Sequence, residues 1–403
     1  MSTQPKLAVF STLFPNAGQP NAGVFVRERM FRVGKKIPVI VIAPIPWFPF
    51  QGLIRRWRPH FRPSAPAFEY QDGYEVFHPR FFSIPGLLKS FDGFFMAMGC
   101  RKLIRHLRSK DKFNIIDAHF GYPDGYAATL LGKWFSVPVC ITMRGTEVPH
   151  AKSFLKRRHL IKAMERASQL FSVSSSLKEH AVNLGIDESK IQVVGNGVDV
   201  ERFYPVSKEV ARQQVRIPQE AKVLITIGGL VERKGFHRVI EVMPSLMEKH
   251  PNLHYLIVGG ASAEGDWSEK LKSMVVDAGL QSRVHFLGTM SPDKINIPLS
   301  AADVFVLSTR NEGWANVILE AMACGLPVVA SDVGGNAEVV ANKHIGTIVP
   351  FGDRDTLCDE LGLALSRKWD HEAIIDYAKA NSWNKRVDLL VSVFNTVLKE
   401  KAD

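Results

Sequence analysis

The chain has 403 residues, too many for one typical core and suited to two domains of roughly 150 residues or more. Its 46% hydrophobic and 23% charged residues exclude a disordered or fibrous protein. The formal charge of +11 favours an anionic partner, and four dispersed cysteines (Cys100, Cys140, Cys324, Cys358) form no CxxC pair, which argues against a zinc site or a secreted disulfide framework.

The N-terminus, MSTQPKLAVFSTLFP, has one lysine and a short, proline-broken apolar run without the features of a secretory signal, so a cytoplasmic protein is expected. Residues 37–54, IPVIVIAPIPWFPFQGLI, carry no charge and approach the length of a bilayer span. Pro38, Pro44, Pro46 and Pro49 preclude a continuous helix, and the stretch reads as a buried strand followed by a proline-rich loop. Next come Arg55, Arg56, Arg58 and Arg62, interleaved with Trp47, Phe48, Phe50, Trp57 and Phe61, a pattern suited to a lipid headgroup interface. A second basic run, Lys152, Lys156, Arg157, Arg158 and Lys162, reads more simply as a solvated face.

Apolar β-branched runs alternate with helical periodicity along the whole chain, the pattern of βαβ units around mostly parallel sheets. Strands are predicted at LAVFST, PVIVIAP, IIDAHF, PVCITM and LFSVSS, then at KVLITIGG, LHYLIVGG, VHFLGT, VFVLST and PVVASD. Helices are predicted at FFMAMGCRKLIRHLRSK, GFHRVIEVMPSLMEKH and WSEKLKSMVVDAGL. The strand and glycine turn in IQVVGNGVDVERFYP mark a domain junction, giving residues 1–205 and 206–381 as two domains. A final helix over about 382–403 has Val387, Leu390, Val391, Phe394 and Leu398 on one face and is free to pack back on the first domain.

Ligands of open α/β sheets bind beyond the carboxyl ends of strands, so the informative residues should follow strands. After KVLITI come Gly228 and Gly229, then Arg233 and Lys234 just before a helix. A glycine turn, cations and a helix N-terminus suit a diphosphate, although a tight turn with solvated cations has the same appearance. After VFVLST comes NEGWANVILEAMACG, with two carboxylates separated by seven residues. If Asn316 caps a helix starting at Val317, Glu312 lies in the loop and Glu320 in the helix's first turns. The amides of 313–318, through Gly313, Trp314, Ala315, Asn316 and Val317, would then meet an anion or sugar hydroxyls, and Glu320 would accept from vicinal hydroxyls. Asp353-Arg354-Asp355 imitates a metal-binding DxD, but its place before an apolar helical stretch makes helix capping its expected use, and no metal site is expected.

Several stretches resemble the retaining glycosyltransferases of the large family 4 type, or glycosyltransferase group 1. They are EGWANVILEAMACGLPVVASDVGGNAEVV, VVGNGVDVERFYP, GGLVERKG, and YLIVGG with GLQSRVHFLGT. The first half is similar more loosely, through STLFPNAGQPNAGVFVRERM, DAHFGYPDGYAA and ITMRGTEV. The resemblance implies an α/β GT-B fold, two facing Rossmann-like domains with a deep cleft between them. By that resemblance Glu312 matches a glutamate near the donor sugar, Glu320 one that binds the nucleotide's ribose, and Lys234 the lysine that neutralises the diphosphate. The family's GRLxxxKG reads GGLVERKG here, so Gly229 replaces an arginine that Arg233 would have to replace in function. His119 matches a histidine near the transferred sugar. Gly23, Arg144 and Glu147 fall in the loops next to the acceptor and sugar phosphates, Glu147 standing where aspartate is commoner. The implied activity is metal-independent transfer from a nucleotide diphosphate sugar to a saccharide acceptor. No cofactor is needed. The acceptor is expected to be lipid-linked, the protein to be peripheral on the inner face of an anionic membrane, and nucleic acid is not expected as a partner. An epimerase or hydrolase of sugar nucleotides on the same fold, or a noncatalytic sugar-binding or nucleic-acid-binding protein, fits the same residues.

Overall fold

The computed structural model describes residues 4–20, 22–57, 61–62, 64–262 and 264–401. Arg58, part of the first basic cluster, lies outside them. The chain divides into two compact units, Met1–Asn196 with Asn384–Asp403, and Gly197–Trp383. The junction precedes the 205/206 position read from the sequence for a local reason. The Val198 amide donates to the Asn381 carbonyl at 3.2 Å, and Val198 and Phe203 are buried in the second unit's core, so residues 197–205 already belong to it.

Among the described residues the first unit holds ten strands: β1 (Leu7–Phe10), β2 (Val39–Ile42), β3 (Ile45–Trp47), β4 (Phe68–Gln71), β5 (Tyr74–Phe77), β6 (Arg80–Phe82), β7 (Ile115–His119), β8 (Val139–Met143), β9 (Gln169–Ser172) and β10 (Ile191–Val193). Eight of them form one sheet in the order β10-β9-β8-β7-β1-β2-β5-β4, parallel except where β4 turns back on β5. β1, β2, β7 and β8 are buried at every position, as expected of parallel strands covered on both faces. The stretch read as a proline-rich loop after residue 43 is partly ordered. Ile45–Trp47 pairs in parallel with Arg80–Phe82, and a short helix spans Gln51–Trp57. The β4–β5 hairpin turns on Asp72-Gly73, both at positive φ, the chemistry that a two-residue hairpin loop demands.

The last helix, Trp383–Glu400, packs on this unit. Val387, Leu390, Phe394 and Val397 are buried among Phe14, Val26, Met30, Val41, Phe171 and Val194.

The second unit holds β11 (Lys222–Ile227), β12 (Leu253–Val258), β13 (Val284–Gly288), β14 (Val304–Leu307), β15 (Val328–Ser331) and β16 (Gly346–Val349) in one parallel sheet, ordered β13-β12-β11-β14-β15-β16. Counted within the unit, this is the 3-2-1-4-5-6 order of a dinucleotide-binding fold. Strand order reverses between β11 and β14, so the loops after these two strands flank the crevice where such sheets bind ligands. In the first unit the reversal lies between β1 and β7. Among the described residues no helix is long and apolar enough to cross a membrane.

Candidate active site

Both loops at the second unit's switch point carry the residues singled out above. The loop after β11 runs through Gly228, Gly229, Arg233 and Lys234 into the helix Phe236–Lys249, and the loop after β14 runs from Ser308 to Ala315. They are tied together: the Arg310 amide donates to the Arg233 carbonyl at 2.7 Å, and Arg238 donates to the Ser308 carbonyl at 2.8 Å. The Lys234 side chain runs alongside Gly228, 3.5 Å from where a β-carbon there would lie. It ends on Glu312, Nζ donating to Oε1 at 2.6 Å. The same oxygen accepts from Arg233 Nη1 at 3.2 Å and from Thr309 Oγ1 at 3.3 Å. Glu312 is therefore a carboxylate held by two cations and a hydroxyl.

The backbone at Glu312 is fixed from β15. Gly334 has φ of 54°, and a β-carbon on it would lie 1.6 Å from the Glu312 carbonyl oxygen, so only glycine serves there. The first glycine of SDVGG thus shapes the loop that carries the first carboxylate.

The helix of this segment is Asn316–Ala323, with Ala315 in the extended N-cap position. Asn316 is therefore its first residue and not its cap, a correction to the sequence reading. The Ile318 amide is also spent on the Ala315 carbonyl at 3.1 Å, which shortens the run of amides available to an anion. Gly313, Trp314, Asn316 and Val317 are half-buried beside Glu312, and Ala315 is buried. The indole N–H of Trp314 is buried without an acceptor among the described residues. Glu320 is half-buried in the second turn. Asp353 accepts from Thr356 N and Oγ1 at 3.0 and 2.7 Å and caps the helix Arg354–Ser366. No group of three or more His, Cys, Asp or Glu among the described residues is arranged to hold a metal ion.

At the first unit's switch point the loops after β1 and β7 are joined by Asp124, which accepts from Thr12 N at 2.5 Å and from Thr12 Oγ1 at 3.1 Å. Burial raises the Asp124 carboxyl to about 7, against the lowering effect of the Thr12 bonds. Gly23, at φ of 68°, starts the helix Val24–Gly34, and a β-carbon there would lie 2.1 Å from the Leu13 carbonyl oxygen.

His119 is fully buried at the end of β7, so it does not itself reach a ligand in this structure. Its Nδ1 accepts from Arg144 Nε at 3.1 Å, which places its proton on Nε2, 3.4 Å from Asp117 Oδ2. Burial pushes its pKa down to about 4, with Asp117 opposing and Arg144 reinforcing, and the ring is neutral. Arg144 is half-buried, lies over the Phe25 ring at 5.0 Å and donates to Asn196 at 3.3 Å. Glu147 is buried, and its carboxylate accepts from three backbone amides: Gly121 at 2.8 Å, Arg144 at 3.1 Å and Gly145 at 2.7 Å. It clamps the turns after β7 and β8 together, and both its oxygens are occupied.

The sequence reading missed Asp124, Asp117, Glu264 and Arg29. Arg29 is 1% exposed and donates to the Val194 carbonyl at 3.2 Å. The signal for it was present: Val26, Met30 and Val33 define the buried stripe of its helix, and Arg29 falls within that stripe.

Asp124 and His119 give a pH prediction whose sign can be worked out. Asp124 has a folded pKa near 7 against an ordinary 3.8, so between these values the native state holds a proton that the unfolded chain has lost. Stability then falls as pH rises through this window, by roughly 4 kcal/mol. His119, about 4 when folded and 6.5 ordinarily, acts in the opposite sense across pH 4 to 6.5. Asp124→Asn keeps an acceptor for Thr12 and cannot ionise. The difference in Tm between variant and wild type should therefore move in the variant's favour from pH 4.5 to 7.5. Parallel Tm profiles would sink the assignment.

Fold and site together define an α/β protein that gathers paired cations and a carboxylate at the switch point of a nucleotide-type sheet. Residues 51–202 match the model described as Glycosyltransferase Family 4, and residues 207–381 the model described as Glycosyl transferases group 1. The chain belongs to this group 1 and family 4 class of glycosyltransferases. It is 26% identical over 384 residues to TuaC of Bacillus subtilis (strain 168), a glycosyltransferase whose name assigns it provisionally to teichuronic acid biosynthesis, covering 92% of this chain and 90% of that one. Among solved structures it is similar to sucrose-phosphate synthase from Thermosynechococcus elongatus (TM-score 0.76, 18% identity, 98% and 100% of the two chains). It is also similar to Anabaena HepE in complex with UDP (TM-score 0.72, 20% identity, 98% and 99%). The fold is GT-B.

Proposed function

We propose that the protein is a retaining, metal-independent glycosyltransferase that moves a sugar from a nucleotide diphosphate sugar to a saccharide acceptor. The observation that carries this reading is the convergence of Lys234, Arg233 and Glu312 on one point at the switch of the second sheet. A diphosphate leaving group gains one further negative charge as the glycosidic bond breaks, and preorganised cations there lower the barrier by stabilising that charge. Lys234 and Arg233 supply the counter-charge, the N–H groups at the start of Asn316–Ala323 add to it, and Glu312 faces the sugar hydroxyls. Glu320 takes the ribose. The acceptor attacks from the side the diphosphate leaves, so no covalent glycosyl-enzyme is required and the glycosidase arrangement of two carboxylates does not apply. In the first unit Arg144, braced by His119 and Asn196, is the polar group offered to sugar or acceptor, while Gly23 and Glu147 shape the loops around it. The UDP bound by HepE supports a nucleotide as the donor's leaving group.

The test is a thermal-shift screen of UDP-, GDP- and ADP-sugars followed by product analysis with saccharide acceptors. A nucleotide sugar should raise Tm, since it binds the native state alone. Hydrolysis or epimerisation with no acceptor product would refute transfer, and an inverted anomeric centre would refute retention.

The acceptor is proposed to be lipid-linked and the protein to be peripheral on an anionic membrane, and the first unit's surface supports this. Phe50 and Trp57 are each 81% exposed, Phe154 is 79% exposed, and Leu87, Leu88 and Phe91 are exposed as well. The segments that carry them are joined: Trp47 pairs with Phe82, Arg62 donates to the Ser83 carbonyl at 2.6 Å, and Phe91 lies 6.5 Å from the His159 ring. Not every arginine of the first cluster faces outward. Arg55 donates to the Arg62 carbonyl at 2.6 Å, and Arg62 lies over the Phe48 and Phe61 rings, so both order the segment internally. The second cluster is solvated, as read from sequence: Lys152, Arg157 and Arg158 are exposed, and they flank the exposed Phe154 and Leu155 along the chain. Phe50→Ser with Trp57→Ser should lower partitioning to anionic vesicles by at least tenfold without lowering Tm, because the rings are already in water. Wild-type protein that sediments no better with anionic than with neutral vesicles would reject membrane docking.

A further inference from the structure

The fork of Arg233, which this reading assigns to the diphosphate, is already taken. Its Nε donates to Glu264 Oε2 at 2.5 Å and its Nη2 to Glu264 Oε1 at 2.6 Å, while Nη1 turns to Glu312 and the Asn311 carbonyl, each at 3.2 Å. Arg233, Lys234, Glu264 and Glu312 therefore balance one another in charge. The two carboxylates differ in how firmly they are held. Glu312 is fixed by Gly334, Thr309 and Lys234, and its side chain is nearly buried. Glu264 rides on a turn after β12 closed by the backbone pair Ser262 and Gly265, and its side chain is half-exposed.

That turn is coupled to the position where this chain departs from its family's pattern. A β-carbon on Gly229 would lie 2.9 Å from the β-carbon of Ser262, so the turn rests in space that a side chain at 229 would enter. The glycine that removes one phosphate-binding arginine also lets the turn deliver Glu264 to the other.

We propose that Glu264 is an anionic placeholder, which occupies the Arg233 fork in the unliganded enzyme and is exchanged for phosphate oxygens when the donor binds. The proposal rests on the donor-site reading above. A carboxylate and a phosphate offer a guanidinium the same pair of acceptors, so one replaces the other without reorienting Arg233. Keeping Glu264 beside a bound diphosphate would oppose like charges at short range, which favours its departure. A single glutamate thus holds the arginine in plane before the donor arrives and screens out anions too weak to displace it, trading affinity for selectivity.

The experiment is calorimetric titration of UDP and GDP into the full chain as wild type, Glu264→Gln, Arg233→Ala and the double variant, with circular dichroism to confirm folding. Glu264→Gln should bind the accepted nucleotide three- to tenfold more tightly than wild type, and this gain should vanish when Arg233 is alanine. Unchanged or weaker binding by Glu264→Gln would overturn the exchange and make Glu264 a support for Arg233. Tightening that persists in the Arg233→Ala background would overturn it in favour of a general charge effect. Absence of nucleotide binding in every protein, wild type included, would instead overturn the donor-site reading on which the proposal stands.

Discussion

Replacing Lys234 with alanine should lower the rate of sugar transfer by about 10²–10³-fold, the usual loss when one preorganised charge is removed from a developing anion. The effect should fall mainly on kcat, since the diphosphate carries more charge in the transition state than in the bound donor. Stability should change little, by about 1 kcal/mol or less, and the geometry shows why. Glu312 Oε1 loses one of three donors and keeps Arg233 and Thr309, so no buried carboxylate is left unpaired. Lys234→Arg keeps the charge but broadens it into a planar fork, and should retain more activity than alanine without restoring the wild-type rate. The check is steady-state transfer with the donor found by thermal shift, alongside Tm for each variant. Activity within threefold of wild type in Lys234→Ala would remove this lysine from the mechanism.

How far that mechanism was legible in the sequence depends on whether a residue's role is set by its neighbours along the chain. The ten strands read from apolar runs are all present, because a strand buried on both faces leaves a continuous apolar record. Lys234 and Glu312 were legible as residues following strands, the place where an open sheet exposes its binding edge. Their contact was not, because 78 positions separate them and only the order of β11 and β14 brings them together. The strands β3 to β6 were missed because they are short and partly exposed, and β3 carries Pro46 at its centre. Glu264 follows β12 just as Lys234 follows β11, and the same rule would have flagged it. What the rule could not supply was the close approach of Ser262 to Gly229, in space that a side chain at 229 would enter, which brings its turn to Arg233. His119 shows the converse limit. Its position at a strand end was correct, but only three dimensions reveal that Arg144 covers it and takes its Nδ1 lone pair.

Phe394→Ala should destabilise the first unit by about 3–5 kcal/mol, the range for emptying an aromatic from a closed core. Phe394 is fully buried, meets the Phe171 ring edge-on at 5.5 Å, and lies in a cluster with Val26, Met30, Val41 and Val194. These residues come from the first helix, the central strands and the segment entering the second unit, so collapse around the void would have to move several elements at once. The helix that carries Phe394 follows the second unit in sequence and returns to the first, where Val387, Leu390 and Val397 share its buried face. Loosening it should lower the Tm of the first unit by on the order of 10 °C for a unit of this size. The second unit's own core is built wholly from residues 197–383, so nucleotide binding at 25 °C should persist in the variant. Phe394→Leu fills most of the volume and should recover more than half of the lost stability. Calorimetric unfolding with and without the bound nucleotide distinguishes the cases: a Tm within 2 °C of wild type would show that the returning helix does not hold the first unit together.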